Sequence, residues 1–456
     1  MSLTSAHHLR GYVPAFLFLL VSGCGGGSPV PAPPVMYNIG GNISGLNNGA
    51  KLTLQDKTAG NLDVSANGSF VLPAALANGS TYDVSIAHQP TGQLCVLSQG
   101  KGAIASASIS NIVVSCKTAY AYVVNFTYAP DAPGSDNYSP NYAVTQYTFG
   151  ANNTMVAAAV PSIVVNTSQA SVTLDASGQY AYVAQVSKNV LQQYSIDAHG
   201  HLSSTPQLTL PSAELPYTSL LSPNGKFLYA LDYWNLGNIN KFDIGANGAI
   251  STTPTIVAHV NSALGMAIDS TGKFAYIGNS YSNRIYQFSI AADGSLTPAA
   301  TASVASDDSP TQIVLDPGNK FAYVVNNYGG TISQYTIQPD GTLASMIPAS
   351  VRVSARGVFM AIKPDGKYVY ASGDNDTILQ FSVGPTGALT PLNPASVSSG
   401  SGAISMTFDI TGQYAYVCNS TDNTVTQYAI GSDGTLSVVG NVATPGQPTQ
   451  MLLFYR

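Results

Sequence analysis

The sequence predicts an all-β fold: a seven-bladed β-propeller whose C-terminal strand closes blade 1, preceded by a small disulfide-linked β-sandwich. Two repeat markers carry this reading. A Gly-Lys-Phe-x-Tyr pattern places tyrosines at Tyr122, Tyr182, Tyr229, Tyr276, Tyr323, Tyr370 and Tyr416, spaced by 60 and then by 47, 47, 47, 47 and 46 residues. An Ile/Val-x-Gln-Tyr/Phe segment gives a second set of seven, Tyr147, Tyr194, Phe242, Phe288, Tyr335, Phe381 and Tyr428. A period in the forties made only of strand-like runs is that of a four-stranded blade. The 43 Gly and 27 Pro among 456 residues supply the turns that short strands require.

Residues 1–23 read as a lipoprotein signal peptide. Arg10 precedes the apolar run Tyr12 to Val21, which is too short to span a bilayer and has the proportions of a signal core. The run ends in Val21-Ser22-Gly23-Cys24, which resembles the bacterial lipobox. That resemblance implies a lipid such as palmitate on Cys24 as the first mature residue, and hence a cell-envelope lipoprotein held to the membrane by that lipid. Gly at position 25 in place of Asp favours the outer membrane. An ordinary secretory signal with an incidental cysteine is the other reading. Residues 24–36, with Gly25-Gly26-Gly27-Ser28 followed by Pro29, Pro31, Pro33 and Pro34, read as a tether.

Residues 37–117 lack the repeat. Short alternating runs such as Lys51–Leu54, Asn67–Leu72 and Thr81–Ile86 alternate with Asn-Gly and Gly-Ser turns, which predicts the sandwich. Cys95 and Cys116 each end a strand-like run, and an exported address lets a disulfide between them persist. Cys418 takes the place of Val325, Ala184 or Ser372 in other repeats and reads as a buried small residue. The segment resembles a module of bacterial surface lipoproteins with the same Gly-Gly-x-x-Ser-Gly-Leu opening and paired cysteines. Such modules act as spacers.

Residues 118–456 form the propeller. Pro310–Leu315 reads as an inner strand, Lys320–Val325 as the second, Thr331–Ile337 as the third, with a less regular outer strand ending near Val353. The first repeat begins at its second strand, and Pro448–Phe454 matches the missing inner one, so the tail is expected to lock the ring. Between Tyr122 and Tyr147 lies an insertion, Phe126 to Asn141, which is either a binding feature or a tolerated decoration.

Composition narrows the function. Charged residues make up 8% of the chain, against about 25% in an average soluble protein, and the net charge is −6. There is no basic footprint for nucleic acid, and no metal-ligand cluster, nucleotide loop or Ser/His/Asp motif, so no cofactor is expected. Aspartates in Asp-x-x-Gly and Asp-Gly turns, such as Asp269, Asp340 and Asp409, are structural. The opposite face carries Asp232-Tyr233-Trp234-Asn235, Asn279–Asn283, Asn326-Asn327-Tyr328 and Asn419-Ser420. Flat rings beside amides suit a glycan or a partner protein, with Trp234, Tyr233, Tyr281 and Tyr328 as candidates; a solvated polar surface is the alternative. Successive blade crossovers carry Glu214 (the only glutamate), His259, Asp307 and Asp308, then Arg352 and Arg356. Glu214 or His259 as base with Arg356 on an oxyanion would hydrolyse an ester; scattered surface charge is the alternative.

With the signatures Asp-x-x-Gly-Lys-Phe/Tyr-x-Tyr and Ile/Val-x-Gln-Tyr/Phe-x-Ile/Val in place, residues 118–456 resemble the seven-bladed lactonase-like propeller family, of the 6-phosphogluconolactonase or YVTN-like type. The resemblance implies a lactone hydrolase. Enzymatic members carry histidines in inner strands where this chain has Ser168-Gln169-Ala170-Ser171 and Ser309-Pro310-Thr311-Gln312. Arg356-Gly357 keeps part of the family pattern. This departure makes a non-catalytic envelope module that binds a glycan or protein the first expectation, with lactone hydrolysis the alternative.

Overall fold

The computed structural model describes residues 33–130, 138–150, 154–160, 162–165, 170–175, 177–185, 189–211, 216–232, 237–353 and 359–456. Six sheets of four antiparallel strands span 170–211, 216–259, 263–305, 310–352, 360–398 and 403–443; we number these blades 2 to 7. Blade 1 joins the two ends of the repeat region. Its inner strand is Gln447–Tyr455, antiparallel to the second strand from Ala119↔Tyr455 to Phe126↔Gln447.

The repeat motif works as a rivet between neighbours. Each tyrosine is buried, and from Tyr122 to Tyr370 the hydroxyl donates to a glycine carbonyl in the next blade's third-to-fourth-strand turn. Tyr122 reaches Gly200 at 2.7 Å, Tyr276 reaches Gly341 at 2.8 Å, Tyr323 reaches Gly387 at 2.6 Å and Tyr370 reaches Gly434 at 2.6 Å. The aromatic two residues earlier covers the same glycine. A Cβ on Gly341, whose φ is +82°, would lie 2.1 Å from the Phe274 ring. Both the positive φ and the ring contact therefore require glycine there.

The glutamine of the second marker makes a parallel bridge. Gln287 Oε1 accepts from Leu343 N at 2.6 Å, Gln334 from Leu389 N at 2.7 Å and Gln380 from Leu436 N at 2.7 Å. In blade 3 Lys241 replaces it, donating to the Asp293 carbonyl at 2.7 Å and to Asp243 at 2.9 Å while lying over the Phe227 ring.

Alternation sends successive side chains of each strand toward opposite neighbours, so every blade interface has its own apolar core. Blades 2 and 3 share Tyr182, Ala184 and Leu191 with Leu228, Ala230 and Phe242. Blades 7 and 1 share Tyr416, Cys418 and Val425 with Ala121, Val123 and Tyr147. Cys418 is fully buried there, as the sequence predicted, and burial pushes its thiol up to about 12. The ring is thus continuous through seven such cores.

The N-terminal sandwich has a separate core drawn from Ile39 to Cys116, including Leu52, Leu54, Phe70, Val84 and Ile112. Cys95 and Cys116 face each other across antiparallel strands and are disulfide-bonded. One strand, Ile109–Pro130, belongs to both parts. Its first half pairs with Ile39–Ser44 and Gln93–Ser98, and its second half is the second strand of blade 1. It enters the propeller beside Tyr455, so the sandwich adjoins the face of the Asp-x-x-Gly turns and leaves the crossover face clear.

The insertion differs from expectation. Pairing continues from Phe126↔Tyr142 to Pro130↔Tyr138, so much of it is a ribbon that lengthens the second and third strands by about 17 Å at the rise of a strand.

Candidate functional site

A cavity of about 470 Å³ opens on the propeller axis. Its wall is built from inner strands: Tyr217 and Thr218 of blade 3, Leu264 of blade 4, Thr311 and Gln312 of blade 5, Phe359 before the inner strand of blade 6, and Ile404, Ser405 and Met406 of blade 7. Asn327 adds an amide. Strand register makes Tyr217, Leu264, Thr311 and Ile404 equivalent positions, with Phe359 one place further along its own blade at the level of Gln312, which is why one turn of the ring brings them together. Cross-blade bonds hold the wall. Gln312 Oε1 accepts from Met360 N at 2.7 Å, Gln450 Nε2 donates to the Val172 carbonyl at 3.0 Å, and Thr173 and Ser219 hydroxyls meet at 2.9 Å. The described lining is neutral, with two aromatic rings, apolar side chains and several hydroxyl and amide groups. Such a wall suits a small polar ring.

The ionisable candidates relate to this wall by register. Three residues before each lining position stand Glu214, Asn261, Asp308, Arg356 and Ser401. A three-residue step spans at most about 10 Å, so Asn261, Asp308 and Ser401 lie within reach of the cavity mouth. Asp308 is exposed. Its neighbour Asp307 is exposed too and accepts from Thr331 Oγ1 at 2.7 Å and from Asp308 N at 2.8 Å. His259 ends the outer strand of blade 3, opposite Asn238, with an exposed side chain. Arg352 holds the matching place in blade 5, opposite Thr331. Among the described residues no ion pair joins these groups. Glu214, Arg356, Tyr233, Trp234 and Cys24 lie outside the described residues.

Two of the predicted binding aromatics are presented to solvent, Tyr281 at 90% exposure and Tyr328 at 66%. They follow Trp234 at steps of 47 residues, one per blade. The asparagines beside them are different from the surface amides that the sequence suggested. Asn326 and Asn419 are fully buried at the ends of second strands, and Asn279 is nearly so. Asn279 Oδ1 accepts from Tyr281 N at 3.0 Å and Ser282 N at 2.9 Å, which fixes the loop under Tyr281. Asn326 Nδ2 donates to Ser333 Oγ at 2.8 Å and Asn419 Nδ2 to Thr426 Oγ1 at 2.7 Å. These side chains close the blade ends.

The turn aspartates do what their motif requires. Asp316 accepts from Lys320 N and Phe321 N at 2.6 Å each, and Asp269 and Asp409 do the same in their own turns. A second cavity of about 480 Å³ lies among such turns, between Asp175, Lys226, Asp243 and Gly248. Asp175 there is engaged by Gln179 N and Tyr180 N, so that face is scaffold. No group of three or more His, Cys, Asp or Glu able to hold a metal occurs among the described residues.

An all-β ring of seven four-stranded blades with an axial cavity defines the class of protein. Residues 234–450 match the family model described as "Lactonase, 7-bladed beta-propeller". Solved structures agree in fold. A Bacteroides fragilis protein named for 6-phosphogluconolactonase superposes with a TM-score of 0.61 at 19% identity, covering 74% of this chain and 98% of its own. The periplasmic gluconolactonase PpgL of Pseudomonas aeruginosa gives 0.59 at 18%, covering 74% and 99%. The comparison with curated proteins gives no match. The repeat region has the fold of a seven-bladed propeller, and its residues 234–450 are similar to the lactonase family.

Proposed function

We propose that this propeller binds and hydrolyses a lactone in its axial cavity. The observation that carries the reading is the cavity itself. Its volume of about 470 Å³ holds a single sugar-sized ring, with Tyr217, Leu264 and Met406 in its wall and Thr311, Gln312 and Asn327 as polar groups. The family match and the names of the two neighbours support it. In this reading Glu214 or His259 removes a proton from the attacking water, and Arg356 stabilises the oxyanion formed at the lactone carbonyl. The ring oxygen then leaves as the hydroxyl of the open acid. Hydrolysis of a panel of small lactones by the purified protein, repeated with Arg356→Ala and Glu214→Gln, tests it. Turnover that falls at least tenfold in Arg356→Ala is the expected result. Turnover indifferent to both substitutions removes the assignment.

The exposure of Tyr281 and Tyr328 favours a second reading, in which the crossover face holds a glycan by stacking, with or without catalysis. Tyr281→Ala with Tyr328→Ala is then expected to weaken retention on immobilised polysaccharide while lactone turnover is unchanged. The envelope address belongs to the same proposal. Lipid on Cys24 and the tether of residues 24–36 would hold the sandwich toward the membrane and present the crossover face outward. Loss of membrane association in Cys24→Ser is the expected outcome.

A further inference from the structure

We infer that the outer edge of blade 7 is an open pairing edge that takes an extended peptide of another protein as an added antiparallel β-strand. The repeat supplies its own controls. In blades 4, 5 and 6 the outer strand pairs with the third strand at both ends but not between them. Residues 299–302, 346–349 and 392–395 bulge out there, each set opposite one glutamine, Gln287, Gln334 or Gln380. Proline lies in or beside every one of these bulges: Pro298, Pro348, and both Pro391 and Pro394. The described outer strands of blades 1 to 3 are short instead, with five residues or fewer. Prolines, bulges and short strands are the devices that keep an exposed edge from pairing.

Blade 7 departs from all of them. Its outer strand, Leu436–Ala443, is eight residues long, has neither proline nor charge, and carries a bulge of a single extra residue opposite Gln427. Val438 faces Tyr428 at the register position where Pro298 faces Phe288 and Pro391 faces Phe381. Val438 and Val439 are 53% and 42% exposed, and Ser437, Asn441 and Ala443 are exposed too. At the two ends of the ladder Gly431 N donates to the Thr435 carbonyl and Thr444 N to the Asn423 carbonyl, each at 2.8 Å. Alternation from those bonds points the N–H groups of Val438, Asn441 and Ala443 away from the blade, where an added strand can accept them. An edge of this length is about 27 Å long and about 10 Å deep, or roughly 270 Å². A stable pair of folded proteins needs about 800 Å² on each side, so the edge alone does not hold a second copy of this chain. A single extended segment fits it. Asp433 stands exposed at the start of the strand, and Thr435 donates to it from its N–H and its hydroxyl, holding the carboxyl below the usual carboxylate range. In antiparallel pairing that charge meets the C-terminal end of the guest. The fitting guest is therefore an alternating apolar segment with lysine or arginine at its C-terminal end.

The test is fluorescence anisotropy of a labelled peptide of alternating threonine and valine ending in two lysines, titrated with the full chain. The same peptide ending in two glutamates is the control. Saturable binding with a dissociation constant below about 0.5 mM, and binding of the control weaker by about fivefold or more, is the expected result. Val438→Pro installs the residue of blades 4 and 6 and removes only an outward N–H, so it is expected to keep the fold and to weaken binding by about fivefold or more. Val438→Lys leaves the backbone intact and sets a cation on the edge, with the same expected loss. Far-ultraviolet circular dichroism checks both folds, and if one variant is unfolded the other decides. No saturable binding by the wild type, or equal binding by a folded variant, overturns the site. Dimerisation in sedimentation that Val438→Pro abolishes would give the edge to a second copy and overturn the peptide as its occupant.

Discussion

Replacing Tyr323 by Phe removes one oxygen from a fully buried side chain and leaves its ring in place. In the native protein that hydroxyl donates to the Gly387 carbonyl of blade 6 at 2.6 Å. Packing between blades 5 and 6 is untouched, so the loss isolates the rivet. Water cannot reach the orphaned carbonyl, and an unsatisfied buried acceptor costs about 1–3 kcal/mol. We expect a loss of that size in urea unfolding of the propeller, followed by fluorescence of Trp234, the only tryptophan in the chain. Tyr281→Phe is the control, because Tyr281 is 90% exposed and its hydroxyl meets solvent. It is expected to change stability by less than about 0.5 kcal/mol. Equal, small effects from both substitutions would refute the claim that the repeated tyrosine exists for its hydroxyl.

Three further outcomes follow from the same structure. Gly341→Ala forces a Cβ to within 2.1 Å of the Phe274 ring at a φ of +82°, and is expected to destabilise the propeller by more than about 1 kcal/mol in the same assay. Reduction of Cys95–Cys116, which closes a loop of 21 residues, is expected to cost the sandwich about 3 kcal/mol and to leave the propeller transition unmoved. Burial alone would raise the Asp56 carboxyl, but N–H donors of Ala59, Asp83 and Thr58 outweigh it and hold the group below its usual 3.8. Its contribution is therefore complete above that value and lost as pH falls through the lower folded value. Stability measured from pH 2 to 6 is expected to show this loss in the wild type and to lack it in Asp56→Asn.

The blade count and the closing tail were legible because the same rivet recurs from blade to blade. A tyrosine, an aromatic two residues before it and a glycine in the next blade's turn must recur together, so their spacing is printed in the chain. The glutamine marker was visible as a pattern, but its cross-blade bond was not, since the partner is a backbone N–H. Asn279, Asn326 and Asn419 read as surface amides because a strand's last residue looks like a loop residue until its neighbours are known. The Phe126–Asn141 segment read as a loop because prolines and aspartates hide the pairing that extends the hairpin. The axial wall was illegible for a different reason: its residues differ in every blade, from Tyr217 to Leu264 to Thr311, so no repeat betrays them.

Amide hydrogen exchange on the intact protein tests the ring most directly. If Gln447–Tyr455 is the inner strand of blade 1, its amides and those of Ala119–Phe126 exchange slowly and together, at the rate of the inner strands of blades 4 and 5. Fast exchange from Gln447 onward, with the rest of the propeller protected, would contradict the closure from which the axial cavity and its rim are derived.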